Sequence, residues 1–471
     1  MPTILGANTL SDDFEITNSL RFDNDSSTQL LFTPSSASNR RTYTVSFWIK
    51  RGSVGEQVNM FGTASEGDNV YFESGGKLGF FQEGSSQSYL ITNRLFTDPT
   101  AWFNIVIAVD TTQGTAADRV KLYINGTQYT WDSSTTYPSQ NYQGDINNNQ
   151  EQKIGNGHHG AIFDGHLAEF NLIDGTALGP TSFGKANDNN VWVPIDTASL
   201  TFGTNGYRLE FKQTGTSQNS SGIGADTSGN DNHWAVSNIA ADHVSTDTPS
   251  NNFCTLNPLT KRPAANGTIT EANLEYEAST SDSSIYGTLA IPAGMKVYFE
   301  VKLVSNTAQN ALGIHNLYDG GDGEFVKGGS EAGTYSLKVR GSANTTQYFN
   351  NGSTNNTSTN NYANDTIIGV AVDNSNGQIH YHVDGTYINN SDPTDNNPVA
   401  LVTGFGGSNE QYLHFSLDTS GGTDPKNQFN FGNPVHSISS SQADDAGYGN
   451  FEHDVPAGYY SLCTKNIAEY G

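Results

Sequence analysis

The sequence predicts an all-β protein made of many short antiparallel strands. Glycine contributes 50 of the 471 residues, and asparagine, serine and threonine are also abundant. Glycine and asparagine supply the positive φ angles that tight turns require. Aromatic residues make up 11% of the chain and charged residues only 15%, which is typical of a packed protein and not of a disordered one. The length allows two or three domains.

Residues 15–185 contain a succession of predicted strands. The segment from Tyr43 to Lys50 alternates strictly between apolar and polar residues, which indicates a half-buried antiparallel strand. The segment from Trp102 to Asp110 is longer and more apolar, as expected for a central strand. A third segment ends in the Asn-Gly dipeptide of residues 125–126, which strongly favours a hairpin. Further strands are predicted at residues 19–22, 29–33 and 163–175.

The order of these segments resembles the laminin-G and concanavalin A-like lectin family. The matching pieces are Ser46-Phe47-Trp48-Ile49, Trp102-Phe103-Asn104-Ile105-Val106, Leu122-Tyr123-Ile124-Asn125-Gly126 and Gly165-His166-Leu167-Ala168-Glu169-Phe170. The resemblance covers about residues 15–185 and implies a jelly roll, in which two curved antiparallel sheets pack face to face. Residues 1–14 are predicted to form an extended segment before this sandwich.

A second sandwich is predicted over residues 253–435. An apolar segment, Asn364–Asp373, is followed by a turn and by the alternating segment Gly377–Thr386, which contains an Asp-Gly turn. Together with the closing Phe429-Asn430-Phe431-Gly432, this string is similar to the core of the SPRY family. The resemblance implies another concanavalin A-like sandwich used for binding. The predicted fold is therefore two tandem concanavalin A-like jelly-roll β-sandwiches joined by a β-rich bridge at residues 186–252.

Both ends of the chain resemble virion proteins of marine phages. The likeness rests on the opening segment, from Leu5 to Tyr43, and on the segment from Gly447 to Asn466. The latter lies in the tail at residues 436–471, which is predicted to be extended. It implies a virion surface protein that either decorates the capsid or belongs to a tail fibre. The implied partners are further copies of the chain, other virion proteins and host-surface glycans. This expectation is an analogy of family, not chemistry derived from a site.

The charge balance and the chain start narrow the function classes. The chain has 22 basic and 48 acidic residues, a net charge of −26, and a surface this negative repels nucleic-acid backbones. The start at Met1–Gly6 lacks a secretion signal, and no stretch approaches the roughly 18 to 20 apolar residues of a membrane span. We expect synthesis in a host cytoplasm, localisation on the virion surface and no membrane insertion. In that compartment Cys254 and Cys463 are expected to remain free thiols.

The carboxylates give little sign of catalysis. A glycosidase needs two carboxylates on either side of one glycosidic bond. Glu275 and Glu277 lie on one face of a predicted strand, but they stand beside acidic loop sequence. Motifs for phosphate cradling or a nucleophile elbow are also missing from the sequence. The sequence predicts a non-enzymatic protein, with a bacterial lectin or adhesin, or a concanavalin-fold glycoside hydrolase, as the alternatives.

Two kinds of binding site are predicted. The lectin resemblance implies calcium, which takes hard oxygen ligands from loops, and the candidate ligands are Asp68, Asn69, Asp164, Asp174, Asp373 and Asn374. The alternative is that these residues are present because Asp and Asn favour turns. For carbohydrate, aromatic rings in polar sequence can stack on a sugar, and the candidates are Trp131, Tyr137, Tyr142 and Trp234. Exposed aromatic residues also make subunit contacts, which is the alternative for this second set.

Overall fold

The computed structural model describes most of the chain, which divides into two compact units. The described residues are 14–64, 67–82, 88–132, 134–157, 161–260, 267–277, 283–306, 309–315, 333–340, 346–351, 353–358, 362–395, 402–403, 405, 411–418 and 425–471. The N-terminal unit spans Leu5–Asn252 and the C-terminal unit spans Phe253–Gly471. The predicted all-β fold with tandem sandwiches is confirmed.

The N-terminal unit is built from short strands and three short 3₁₀ turns, at Ala116–Asp118, Pro180–Ser182 and Ala241–His243, within the described residues. Its strands are β1 Ser19–Phe22, β2 Gln29–Phe32, β3 Thr42–Arg51, β4 Val58–Thr63, β5 Asn69–Phe72, β6 Lys77–Gln82, β7 Ser88–Leu95, β8 Phe103–Asp110, β9 Val120–Ile124, β10 Thr127–Tyr129, β11 Gln152–Ile154, β12 Ala161–Ile162, β13 Gly165–Asp174, β14 Gly184–Ala186, β15 Trp192–Pro194, β16 Tyr207–Leu209, β17 Ala235–Ser237 and β18 Val244–Ser245.

Most of these strands form two large sheets around one apolar core, and β14 and β15 form a separate two-stranded sheet. The first sheet has the order β10-β9-β8-β3-β13-β1-β18, and the second has the order β17-β2-β11-β4-β5-β6-β7. Aromatic rings from both sheets meet in the core, where Phe170 lies 5.1 Å from Phe47 and 5.3 Å from Phe61 between ring centroids. The strand β3 is buried along both faces and not on one alone, because Trp48 packs in a second cluster with Ile16 and Trp102.

The predicted hairpin at Asn125 and Gly126 is confirmed. Strands β9 and β10 pair antiparallel around it, and the two residues have φ angles of 46° and 77°. A Cβ atom added to Gly126 would lie 2.3 Å from the Trp192 ring. The turn therefore needs glycine for its backbone angle and also for the close approach of Trp192.

Residues 186–252, predicted to be a bridge, add strands to the N-terminal unit. Strand β16 pairs with β13, β17 pairs with β2, and β18 pairs with β1. The segment is thus part of this unit and does not form a separate link. These strands are only two or three residues long, which is too short for an alternating pattern to reveal them.

The C-terminal unit also contains two sheets. Its strands are β19 Thr268–Thr270, β20 Glu275–Glu277, β21 Ser283–Ile291, β22 Lys296–Ser305, β23 Gln309–His315, β24 Thr334–Arg340, β25 Thr346–Asn350, β26 Ser353–Ser358, β27 Ile367–Asp373, β28 Gln378–Val383, β29 Thr386–Tyr387, β30 Val402–Thr403, β31 Gln411–Asp418 and β32 Lys426–Asn430. One sheet has the order β19-β20-β32-β22-β27-β28-β29, with β30 also pairing with β28, and the other has the order β21-β31-β23-β24-β25-β26. Short 3₁₀ turns lie at Pro258–Thr260 and Ile388–Asn390.

The tail at residues 436–471, predicted to be extended, packs onto the C-terminal unit and ends in a helix. The helix α1 spans Thr464–Tyr470. Asp444 holds the segment before it, because its carboxylate accepts hydrogen bonds from the Ser461 backbone N–H at 2.7 Å and the Asn466 amide at 2.8 Å. Cys254 and Cys463 are both buried. Among the described residues, no helix is long and apolar enough to cross a bilayer.

Candidate functional site

The two tryptophans predicted to stack on sugar are core residues. Trp131 is 5% exposed, and its indole N–H donates to the Val120 carbonyl at 3.1 Å. Trp234 is fully buried, with its ring centroid 5.4 Å from that of Phe32 and 5.0 Å from that of Tyr207. The expectation of accessible rings is corrected for both residues. Their large rings supply apolar area to the core.

The two predicted tyrosines are partly buried. Tyr137 packs against the core of the N-terminal unit, and burial raises the pKa of its hydroxyl above the usual value. The Tyr142 backbone carbonyl accepts a hydrogen bond from Thr111 at 2.7 Å. With both tryptophans in the core, the four residues do not form a shared stacking surface.

Asp68 and Asn69 lie at the start of β5 and are completely buried. One carboxylate oxygen of Asp68 accepts the backbone N–H groups of Asp145 at 2.9 Å and Ile146 at 3.2 Å. The Tyr43 hydroxyl lies 3.3 Å from the same oxygen. A Cβ atom on Gly144 would lie 2.3 Å from it, so the loop approaches the carboxylate as closely as glycine allows. Asp68 therefore fixes a loop.

Asp164 and Asp174 flank β13 and have different surroundings. The Asp164 carbonyl accepts the Gly52 backbone N–H at 2.9 Å, and its charge acts on the buried Arg51 guanidinium. Both carboxylate oxygens of Asp174 are engaged, one by the Asn147 amide at 3.1 Å and the other by the Asn205 backbone N–H at 3.0 Å.

Asp373 and Asn374 form the turn after β27. The Asp373 carboxylate lies 2.8 Å from the Lys296 ammonium and also accepts hydrogen bonds from Asn376. Burial raises the pKa of Asp373, but Lys296 and the hydrogen bonds of the turn outweigh burial and hold the pKa below its usual value. The Asn374 amide donates to the Pro292 carbonyl at 2.8 Å.

Two of the six predicted calcium ligands have occupied carboxylates. Asp174 and Asp373 already accept hydrogen bonds at both oxygens. In the described part of the chain, no group of three or more His, Cys, Asp or Glu residues is placed to hold a metal ion. Calcium binding stays a prediction without an assigned ligand set.

An open groove in the C-terminal unit brings together residues of the kind that bind sugars. It has a volume of about 580 Å³ and is formed by the loop after β28 and by two residues of the tail. The lining residues are Gly385, Thr386, Tyr387, Asn390, Ser391, Asp392, Pro393, Thr394, Asp454 and Pro456. We call this feature the groove. An aromatic ring, hydroxyls, an amide and carboxylates form its wall.

Two hydroxyls in the groove wall lack a protein partner. Ser391 is 5% exposed, and its hydroxyl makes no hydrogen bond within the described residues. The same holds for the hydroxyl of Tyr387. A buried hydroxyl without a partner costs about 1–3 kcal/mol. A ligand hydroxyl or a bridging water that reaches these groups would remove that cost.

The rim of the groove is acidic. Asp392 and Asp454 are exposed. The Asp392 carboxylate accepts hydrogen bonds from the Thr394 hydroxyl at 2.7 Å and the Thr394 backbone N–H at 2.8 Å. These bonds from Thr394 hold the pKa of Asp392 below its usual value. Asp392 is therefore a charged acceptor at neutral pH.

A hydrogen-bond chain lies behind the groove and ties its two segments together. The Gly385 backbone N–H donates to Nδ1 of His382 at 3.1 Å, so the neutral ring carries its proton on Nε2. His382 Nε2 then donates to the Tyr298 hydroxyl at 2.7 Å, and that hydroxyl donates to Glu300 at 3.0 Å. The chain thus links the groove residue Gly385 to a buried carboxylate.

Glu300 holds the tail segment that supplies Asp454. Its carboxylate accepts the backbone N–H groups of Glu452 at 3.0 Å and His453 at 2.9 Å. Burial raises the pKa of Glu300, while these bonds oppose the effect. Burial, together with His453, lowers the pKa of His382 to about 3. His382 is therefore neutral near pH 7. The hydrogen-bond chain holds Gly385 and the tail segment in place and does not transfer protons.

Sequence reasoning found the Asp-Gly turn beside the groove but missed the groove itself. The run Asn389-Asn390-Ser391-Asp392 reads as an ordinary polar loop. Asp454 lies some sixty residues further along and reaches the loop only through tertiary contacts. The sequence carries a local signal for the turns here, because Asp384, Asn389 and Asn390 are of residue types that tolerate positive φ angles better than most. All three adopt such angles.

The comparisons with known proteins concern both fold and family. A search of the curated proteins found no match. Among solved structures, a pentraxin from Limulus polyphemus is 19% identical, with 35% of this chain and 79% of that one covered and a TM-score of 0.25. A candidate carbohydrate-binding protein from Bacteroides ovatus is 14% identical, with 47% and 58% covered and a TM-score of 0.32.

A third similar structure is the SPRY domain of human HERC1, which is 10% identical, with 37% of this chain and 96% of that one covered and a TM-score of 0.27. Such low identities and TM-scores say nothing about function. In sequence, residues 24–182 match the model of the concanavalin A-like lectin/glucanases superfamily. The N-terminal unit therefore contains a concanavalin A-like domain.

Proposed function

We propose that this protein is a non-enzymatic glycan-binding protein whose binding site is the groove of the C-terminal unit. The observation that carries the proposal is the buried, unpartnered hydroxyl of Ser391 in a wall that also contains Tyr387, Asn390 and two carboxylates. Sugar hydroxyls can donate to the carboxylates and accept from the wall hydroxyls. The concanavalin A-like domain of the N-terminal unit belongs to a superfamily of lectins and glucanases, which agrees with this ligand class.

A glycosidase is the alternative, and the chemistry of the carboxylates disfavours it. The general acid of a glycosidase needs a raised pKa, whereas Thr394 holds the pKa of Asp392 below its usual value. The other pair considered, Glu275 and Glu277, contacts the Lys426 ammonium at 2.6 Å and 3.5 Å. These two glutamates therefore serve an ion-pair cluster on the sheet.

The glycan proposal is tested with a glycan array, followed by calorimetric titration of the best ligand. We expect saturable binding by the full chain. The double substitution Ser391→Ala and Asp392→Asn removes about two hydrogen bonds and should weaken binding roughly tenfold. The control is Asp365→Asn, an exposed carboxylate of the same unit outside the groove, which should bind as the original protein does.

Two results would contradict the proposal. One is the absence of binding to any glycan on the array. The other is binding that the groove substitutions leave unchanged. Release of reducing ends from the bound glycan, abolished by Asp392→Asn, would instead establish the glycosidase.

We also propose that the protein is displayed on the surface of a phage particle, as a homo-oligomer attached to other virion proteins. Support for this part comes from the resemblance of the chain ends to marine phage virion proteins and from the net charge of −26, which suits a surface that does not contact nucleic acid. Cryo-electron microscopy of the purified phage particles tests it. We expect repeated copies on the capsid or tail. Purified particles without the chain would contradict it.

A further inference from the structure

We infer that the groove selects glycans that carry protonated amino groups and disfavours acidic glycans. The inference rests on the proposed function, because it names the class of saccharide that the same groove would take. Its basis is the arrangement of charge around the groove. Asp392 and Asp454 both line it, and its ten lining residues include neither Lys nor Arg.

The cationic side chains near the groove do not offset its two carboxylates. The Lys296 ammonium is paired with Asp373 at 2.8 Å and lies over the Tyr459 ring at 5.3 Å. Two buried histidines behind the groove are neutral near pH 7, because burial lowers the pKa of His380 to about 4 and that of His382 to about 3. His453 precedes Asp454 and packs its ring against His382, with 5.1 Å between centroids.

The arrangement of polar groups favours an amino sugar over a simple cation. The two carboxylates are exposed, whereas the unpartnered hydroxyls of the lining residues Ser391 and Tyr387 are buried. A ligand that satisfies both needs hydroxyls for the wall and a positive charge for the rim. An amino sugar has both within one ring, and an acidic sugar would bring a third negative charge to the rim.

The expected selectivity is modest and depends on salt. Asp392 and Asp454 are exposed, and ion pairs at exposed positions are screened by solvent and salt. We expect a preference of about fivefold for an amine over the matching neutral sugar at low ionic strength. The preference should largely vanish at about 1 M salt, where the Debye length falls to about 3 Å.

The test compares three oligosaccharides of equal length on the full chain: a glucosamine oligomer, its N-acetylated form and a galacturonate oligomer. Calorimetric titrations are run at a pH at which the amine is protonated. We expect affinities in the order amine, neutral, acid. The double variant Asp392→Asn and Asp454→Asn should lose the order, because it removes both charges, and it should bind the neutral oligomer more weakly, because asparagine replaces one acceptor oxygen of each side chain by a donor.

The outcomes separate this inference from the proposed function. Binding of the neutral oligomer with equal or weaker binding of the amine overturns the inference alone. A charge preference that persists in the double variant also overturns it, because the selecting charges would then lie elsewhere. Failure of all three oligomers, and of the glycan array, overturns the inference together with the proposed function.

Discussion

Asp68 shows how a polar residue can be an internal support of this fold. The side chain is completely buried, and its carboxylate accepts two backbone N–H groups of the loop at Asp145 and Ile146. Burial is the largest effect and raises the pKa of Asp68 to about 7, although the hydrogen bonds oppose it. Asp68 therefore keeps its proton to a much higher pH than an exposed aspartate does.

This shift predicts a pH dependence of stability. Unfolded Asp68 releases its proton near its ordinary pKa, and the folded state releases it at about pH 7. Between these values the folded state holds more protons, so the free energy of unfolding should fall as pH rises from about 4 to 7. The substitution Asp68→Asn should remove this pH dependence, which amounts to a change in the free energy of unfolding on the order of a few kcal/mol between about pH 4 and 7. Urea unfolding at a series of pH values measures it.

The control for this experiment is Asp188→Asn, which changes an exposed carboxylate of the same unit. We expect that variant to keep the slope of the original protein. If Asp68→Asn keeps the slope as well, Asp68 does not hold a proton at neutral pH and the assignment is wrong.

At the level of single residues, the sequence predicts type and neighbourhood better than role. Asp68 lies just before β5, whereas Asp174 and Asp373 are the last residues of β13 and β27. Hydrogen bonds from backbone N–H groups and from side-chain amides occupy their carboxylates. The polar neighbours of Trp131 and Trp234 predict accessible rings, but both rings are buried in the core. Burial is set by the whole sheet packing, which a local sequence window does not contain.

At the level of elements, the segment after β18 depends on one buried ion pair. The Lys50 ammonium lies 2.7 Å from the Asp247 carboxylate and 2.6 Å from the Asn252 amide oxygen. The Trp102 indole N–H donates to the same carboxylate at 3.1 Å. These contacts hold residues 245–252 against β3, although only Ser245 of that region belongs to strand β18.

We expect Asp247→Asn to destabilise the N-terminal unit by about 3–5 kcal/mol, because it leaves the buried Lys50 charge without its counter-ion. Thermal or urea unfolding measures the change. Asp118→Asn is the matched control, since Asp118 pairs with Lys121 at 3.3 Å while both side chains are exposed. That loss should stay below about 1 kcal/mol. Equal effects of the two substitutions would contradict the assigned role of the buried pair.

Long strands were predictable, and short ones were not. The segments proposed around Tyr43–Lys50 and Trp102–Asp110 correspond to β3 and β8 with shifts of about one residue. Their alternation or apolar length is a strong signal. The short strands β16 to β18 and the helix α1 are stabilised by pairing and packing with distant segments, so their own residues carry little indication of them.

At the level of the whole molecule, two sandwiches follow one another along the chain and differ in what they offer a ligand. The N-terminal unit contains the concanavalin A-like domain, yet both tryptophans predicted to bind sugar there are in its core. The C-terminal unit brings the loop at Tyr387–Thr394 together with Asp454 and Pro456 of the tail. The tail, which the sequence predicts to be extended, thus contributes two residues to the groove.

The central claim is that glycans bind in this groove, and a crystal structure of the full chain with the tightest-binding glycan tests it most directly. We expect sugar density against Tyr387, with sugar hydroxyls within hydrogen-bond distance of Ser391 and Asp392. Density on the N-terminal unit, with the groove holding only solvent, would contradict the claim and assign glycan binding to the concanavalin A-like domain.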